Sequence, residues 1–180
     1  MHSSQHPWHG LSYGDNAPEI VTAVIEIPCG SIAKYEIHKD SGLLMMDRVI
    51  YGSFQYPTNY GLIPRTYSED NDPLDILVLS QVDIDPLCLV ETRVIGAIKI
   101  IDGGEEDDKI IGVAHHDPYY NDVHELSDLP KHKLDKIKHF FENYKTLEKK
   151  IVDVREWEDR KTAIGIVEKS IKMYQEKFPT

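Results

Sequence analysis

The sequence has no apolar run close to the ~18 residues that a membrane-spanning helix requires, so no membrane partner is expected. Cysteine is scarce. Cys29 and Cys88 are the only two, too few for a disulfide scaffold and not in C-x-x-C spacing, so they read as buried free thiols. Positive charge is short as well: 20 Lys plus Arg face 31 Asp plus Glu, a net charge of −11 over 180 residues. Nucleic acids are held chiefly by Lys and Arg that neutralise phosphates, so this deficit argues against nucleic-acid partners and anionic membrane surfaces alike. The opening stretch, MHSSQHPWHGLSYGDNAP, lacks a cationic start followed by an apolar segment, so a cytoplasmic protein is expected. Internal repeats and low-complexity tracts are also missing.

What is present suits one folded domain: 41% of residues are hydrophobic and 9% aromatic, ample for a core and unlike a disordered chain. Residues 1–18 are rich in His, Ser, Gly, Pro and Asn without periodicity, which predicts a flexible arm that Trp8 and Tyr13 pin to a single domain over 19–180. Residues 20–27 (IVTAVIEI) read as a strand; Pro28 and Gly30 break it before Ser31–His38 begins another, which predicts a hairpin. Residues 43–50 and the aromatic stretch around Phe54, Tyr56 and Tyr60 follow, where Pro57 and Gly61 prevent a long regular element, and further strands are expected at 76–79, 89–101 and 109–114. Ser127 and Asp128 before Pro130 open a helix, with Leu134, Ile137, Phe140, Phe141, Tyr144 and Leu147 at helical spacing. A last helix spans about 160–177. These pieces predict a β-barrel or compact sheet covered by two helices.

The negative charge is concentrated. Residues 69–108 hold twelve acids against Arg93 and Lys99, a net −10 that leaves −1 for the rest of the chain. Within that window Asp70, Asp72 and Asp75 fall inside six residues, pinned by Pro73 and running into a buried strand. Carboxylates this close repel and need cations. Clustered hard oxygens select Mg²⁺, Mn²⁺ or Ca²⁺ over thiophilic metals. An EF-hand loop does not fit, because its sixth position is Asp75 where Gly is required and its twelfth is Gln81 where Glu belongs. A solvated acidic turn is the plain alternative. A second acidic cluster runs from Asp102 to Asp108 at a strand end, where Gly103 and Gly104 permit a turn that aims Asp102 and Asp107 at a common ion. Its plain alternative is an exposed hairpin tip.

Metal ions held by carboxylates keep open positions for phosphates, and such a substrate also calls for protein cations, for which Lys34, Arg48, Lys109 and Lys145 are candidates. His115-His116-Asp117 looks like a ligand cluster, but neighbouring strand residues face opposite ways, and a surface loop or subunit contact is the simpler reading. His2, His6 and His9 read as incidental, and Lys131, Lys133, Lys136 and Lys138 as the wet face of a helix.

These residues carry a resemblance. Asp70-Asn71-Asp72-Pro73-Leu74-Asp75-Ile76 fits the D-x-D-P-x-D signature of the family I soluble inorganic pyrophosphatases, bacterial type. Ile25-Glu26-Ile27-Pro28, Lys34-Tyr35-Glu36, Asp47-Arg48, Tyr56 through Gly61, Asp102 through Lys109, and His139 through Lys145 follow in that family's order. The likeness covers about residues 20–148. It implies an OB-like five-stranded β-barrel flanked by two helices, hydrolysing pyrophosphate to two orthophosphates as a homohexamer. It further implies roughly three to four Mg²⁺ per site, with Mn²⁺ or Zn²⁺ as substitutes. By position, Asp70, Asp75, Asp102, Asp107 and Glu36 resemble the family's metal residues and Asp72 its general base. Lys34, Arg48, Tyr60, Tyr144 and Lys145 resemble its phosphate-binding residues, with Glu26, Tyr56 and Lys109 in support.

Elementary electrostatics agrees with that assignment. Seven of these carboxylates against four cations leave the bare site about three charges negative, so it repels pyrophosphate until several divalent ions reverse its sign. Two metals about 4 Å apart would activate a water for in-line attack.

Overall fold

A computed structural model describes residues 6–179. Nine strands and two helices follow in chain order: β1 (Ile20–Ile27), β2 (Ala33–Ile37), β3 (Leu44–Val49), β4 (Asn59–Leu62), β5 (Asp75–Leu79), β6 (Leu89–Asp102), β7 (Glu105–Glu106), β8 (Lys109–Ala114), α1 (Lys131–Asn143), β9 (Val152–Glu158) and α2 (Arg160–Lys177). The fold is mostly β with two helices, as expected.

Five strands close into a ring in the order β1-β4-β5-β8-β6 and back to β1. Closure depends on β1 serving two neighbours: Ile20–Val24 pair with β6, and Val24–Ile27 pair with β4. All ring contacts are antiparallel except β5 with β8. A ring leaves no unpaired edge to template aggregation. The β1–β4 contact depends on Gly61, since a Cβ there would stand 1.9 Å from the Val24 carbonyl oxygen.

The expected hairpin of the first two strands does not form. β2 instead pairs with β3, with Lys34 opposite Arg48, in a separate two-stranded sheet. Both neighbours of β1 are taken by distant strands, a choice made by long-range packing and invisible in local pattern. β9 was not anticipated. Its run VDVREWE carries four charges, and it earns its strand conformation by pairing with the far half of β6.

Two apolar clusters hold the layers together. One joins Leu77, Ile98, Ile111 and Val113 to Ile137, Phe140, Phe141 and Tyr144 of the α1 region. The other joins Ile25, Ile76, Val94 and Ile110 to Ala163 and Val167 of α2. Asp159 caps α2 by accepting the Thr162 N–H at 2.7 Å, typically worth about 1 kcal/mol. Ser127 and Asp128 do not cap α1. Asp128 accepts the His124 and Glu125 N–H groups at 2.9 Å each, closing a short 3₁₀ turn ahead of Pro130. Leu147 falls beyond α1 and is exposed.

Other local expectations also change. Cys29 is half-buried and Cys88 exposed, so the thiols are free but not buried. Residues 6–18 lie on the body, with His6, Trp8 and His9 buried, and Trp8 takes an apolar seat beside Tyr67 and Phe178. His2 lies outside the described residues. Among the described residues no helix is long and apolar enough to cross a membrane.

Candidate active site

A cleft of about 680 Å³ opens where β2, the acidic loop before β5, the β6–β8 turn and the end of α1 meet. Thirteen of the fourteen residues singled out by sequence line it: Glu26, Lys34, Glu36, Tyr56, Tyr60, Asp70, Asp72, Asp75, Asp102, Asp107, Lys109, Tyr144 and Lys145. Strand geometry explains the gathering. Asp75 opens β5 and faces Lys109, which opens the parallel neighbour β8, in direct register. Tyr60 on β4 stands one step round the ring. The fourteenth residue, Arg48, sits beside the cleft, where it bonds Asp47 and reaches Glu148 Oε1 at 3.1 Å.

Lys109 is the buried hub, 4% exposed. Its Nζ donates to Asp75 Oδ2 at 2.7 Å, Asp107 Oδ1 at 2.9 Å and Tyr60 Oη at 3.0 Å. Tyr60 in turn donates to Asp75 Oδ2 at 2.5 Å. Burial alone would depress the Lys109 pKa, but Asp107 and Asp75 hold it well above the ordinary value. One ammonium between two carboxylates still leaves buried negative charge. Burial accordingly raises Asp75 even as Lys109 opposes the shift.

The other carboxylates divide into paired and unpaired. Lys145 bonds Asp102, Lys39 bonds Asp72 Oδ1 at 2.5 Å, and Lys34 lies 3.4 Å from Glu36 and 3.5 Å from Asp47. Asp70 has no cation partner among the described residues; it accepts only the Asp72 N–H at 3.1 Å. Burial, then Asp107 and Asp75, push its pKa up to about 6. Glu26 is driven further, to about 8, by burial and then by Asp75, against the Ile37 N–H it accepts at 2.7 Å. Burial also raises the Tyr56, Tyr60 and Tyr144 hydroxyls, which remain phenols able to donate.

Among the described residues no three ligating side chains converge tightly enough to hold a metal as placed. The cause is visible: lysine ammoniums occupy the positions between carboxylates. The donor set is nonetheless all hard oxygen, the chemistry that suits Mg²⁺ or Mn²⁺, and the unpaired Asp70 among acidic neighbours marks charge that the protein's own cations leave uncompensated. The residues fit a divalent metal. His115, His116 and Asp117 do not form a site; they bond separately to Arg93, to Glu91, and to Ser80 and Gln81.

Sequence reasoning missed Lys39 and Trp8, which also line the cleft. Lys39 lies in the turn after β2, outside any strand alternation, so no periodic signal marks it. Its role emerges only when that turn meets the acidic loop.

Together the ring-closed sheet and a cleft of interleaved carboxylates, lysines and tyrosines suit a small, highly charged anionic substrate bound with divalent metal. Residues 23–175 match the family model described as inorganic pyrophosphatase, and the chain belongs to that family, whose members hydrolyse inorganic pyrophosphate. It is 47% identical over 176 residues to soluble inorganic pyrophosphatase 2 of Chlamydomonas reinhardtii, covering 98% of this chain and 92% of that one. It is 45% identical over 171 residues to soluble inorganic pyrophosphatase 1 of Arabidopsis thaliana, covering 95% and 81%. Among solved structures, the inorganic pyrophosphatase of Thermus thermophilus superposes with a TM-score of 0.89 at 43% identity, covering 92% of this chain and 97% of that one. That of Helicobacter pylori gives 0.87 at 45%, covering 92% and 98%.

Proposed function

We propose that this chain hydrolyses pyrophosphate in a Mg²⁺-dependent reaction with Asp72 as the general base. The observation that carries this reading is a single cleft lined by nine aspartates and glutamates, four lysines and four tyrosines. Asp70, Asp75, Asp102, Asp107 and Glu36 would hold about three to four divalent ions, with Mn²⁺ or Zn²⁺ as substitutes. When bound, these ions supply positive charge for the substrate and acidify water.

The chain's own groups do the rest. Asp72 is part exposed, with Oδ1 on the exposed Lys39 ammonium, so its other carboxylate oxygen is open to take a proton from water entering over the acidic loop. Lys34 and Lys145 bring compact charges to the phosphoryl oxygens, and Arg48 a planar fork that must first leave Glu148. Tyr144, kept protonated by burial, donates a hydrogen bond as charge moves to the leaving phosphate, and Tyr60 can do so only after its hydroxyl turns away from Asp75. Lys109, Glu26 and Tyr56 hold the floor of the cleft.

Phosphate release from pyrophosphate, with Mg²⁺ and then with EDTA, tests the reading, alongside Asp72→Asn. Turnover that survives EDTA refutes the metal requirement. Near-parental turnover of Asp72→Asn refutes the base. A cytoplasmic location and a homohexamer belong to the same proposal, and light scattering of the purified chain checks the latter.

A further inference from the structure

None of these roles involves the N-terminal segment His6–His9, yet it is buried and it joins two walls of the cleft. On one wall, His6 Nε2 donates to the Lys39 carbonyl at 2.9 Å, which leaves Nδ1 to accept the Trp8 N–H at 3.2 Å. Lys39 belongs to the turn between β2 and β3, and its ammonium reaches Asp72. That turn is pressed against the segment: Gly42 has φ +71°, and a Cβ there would stand 2.9 Å from His6 Cδ2.

On the other wall, Trp8 Nε1 donates to the Thr66 carbonyl at 2.8 Å, and the Arg65 N–H donates to the Trp8 carbonyl at 2.8 Å. Thr66 is fully buried. Its hydroxyl donates to the Ile63 carbonyl at 2.6 Å and accepts the Leu74 N–H at 2.9 Å, tying the two ends of the acidic loop together one residue before Asp75. His9 bonds the Tyr174 hydroxyl of α2 at 2.7 Å and anchors the segment to the body.

We propose that His6 and Trp8 are positioning residues: the N-terminal segment clasps the acidic loop and the Lys39 turn at a fixed separation across the cleft, and so sets where Asp72 stands during hydrolysis. The inference rests on the role of Asp72 proposed above. A displacement of about 1 Å at a reacting group can cost ~10²-fold in rate, so a clasp that touches no reacting atom still governs kcat.

The test uses the full chain, pyrophosphate and Mg²⁺, assayed well below the melting temperature of each variant. Trp8→Phe keeps an aromatic ring and removes the N–H donor; Thr66→Val removes the hydroxyl, and Thr66→Ser keeps it. Trp8→Phe and Thr66→Val should lower kcat about tenfold or more with KM within about twofold, and Thr66→Ser should restore it. Lowered stability with unchanged kcat overturns the proposal. If Trp8→Phe does not fold, His6→Ala against His6→Gln decides, since the glutamine amide can still donate to Lys39. Loss of kcat in the first with recovery in the second supports the clasp, and equal kcat overturns it. Asp72→Asn run in parallel separates the two readings: unchanged turnover there overturns both, whereas abolished turnover with a parental Trp8→Phe overturns the clasp alone.

Discussion

Replacing Lys109 by Met tests how the cleft tolerates its own charge. Met fills similar volume but cannot donate, so Asp75 and Asp107, which share the ammonium at 2.7 and 2.9 Å, are left facing each other beside the Tyr60 hydroxyl. Removing one partner of a buried ion pair costs about 3–5 kcal/mol. At about 2–4 °C per kcal/mol for a chain of this size, the metal-free variant should melt roughly 6–20 °C below the parent. The same change leaves the cleft more negative by one charge, so a divalent ion should bind the folded variant more tightly. An ion at a hundred times its Kd adds about 2.7 kcal/mol, and the variant should recover more of its melting temperature in Mg²⁺ than the parent gains. Differential scanning fluorimetry in EDTA and across a Mg²⁺ series reads both effects. A variant within about 2 °C of the parent in EDTA, or equal Mg²⁺ shifts for the two proteins, would refute the view that Lys109 occupies charge space between the carboxylates.

The remaining predictions concern pH, packing and substrate. Glu26 has a folded pKa of about 8 against 4.5 unfolded, so its contribution is intact below 4.5 and lost as pH rises from there through about 8. At ~1.4 kcal/mol per pKa unit, Glu26→Gln should flatten that decline in metal-free melts by a few kcal/mol, and parallel profiles would sink the assignment. Gly61→Ala should cost about 3 kcal/mol or more in urea denaturation, because its Cβ has no room beside Val24; a neutral result contradicts the β1–β4 approach. Lys145→Ala removes a charged donor worth about 1.5–3 kcal/mol, so kcat/KM for pyrophosphate should fall roughly ten- to hundredfold, and an unchanged value removes Lys145 from the substrate site.

The parts of the fold legible in advance are those whose pattern is local. Residues 20–27, 76–79 and 109–114 are short apolar β-branched runs, and 160–177 carries Ala163, Val167 and Tyr174 at helical spacing, so each element follows from periodicity. β9 escaped because charged residues interrupt its alternation, and the β1–β2 hairpin was misread because proximity in sequence says little about pairing once a ring closes. The site divides the same way. Asp70, Asp72 and Asp75 are adjacent in the chain and announce themselves, whereas Lys39 and Trp8 acquire meaning only from what lies across the cleft.

By itself the sequence settled the chemistry available: an excess of carboxylates in two short windows, a handful of cations to oppose it, and ordered motifs that point to a pyrophosphatase. Tertiary structure decided how that chemistry is held. It placed Lys109 between Asp75 and Asp107, left Asp70 without a cation partner among the described residues, turned Arg48 toward Glu148 and folded the N-terminal segment onto both walls. Charge and periodicity are additive properties that can be read along a chain. Which ammonium neutralises which carboxylate depends on distances of about 3 Å between residues far apart in sequence, and those distances exist only after the ring has closed.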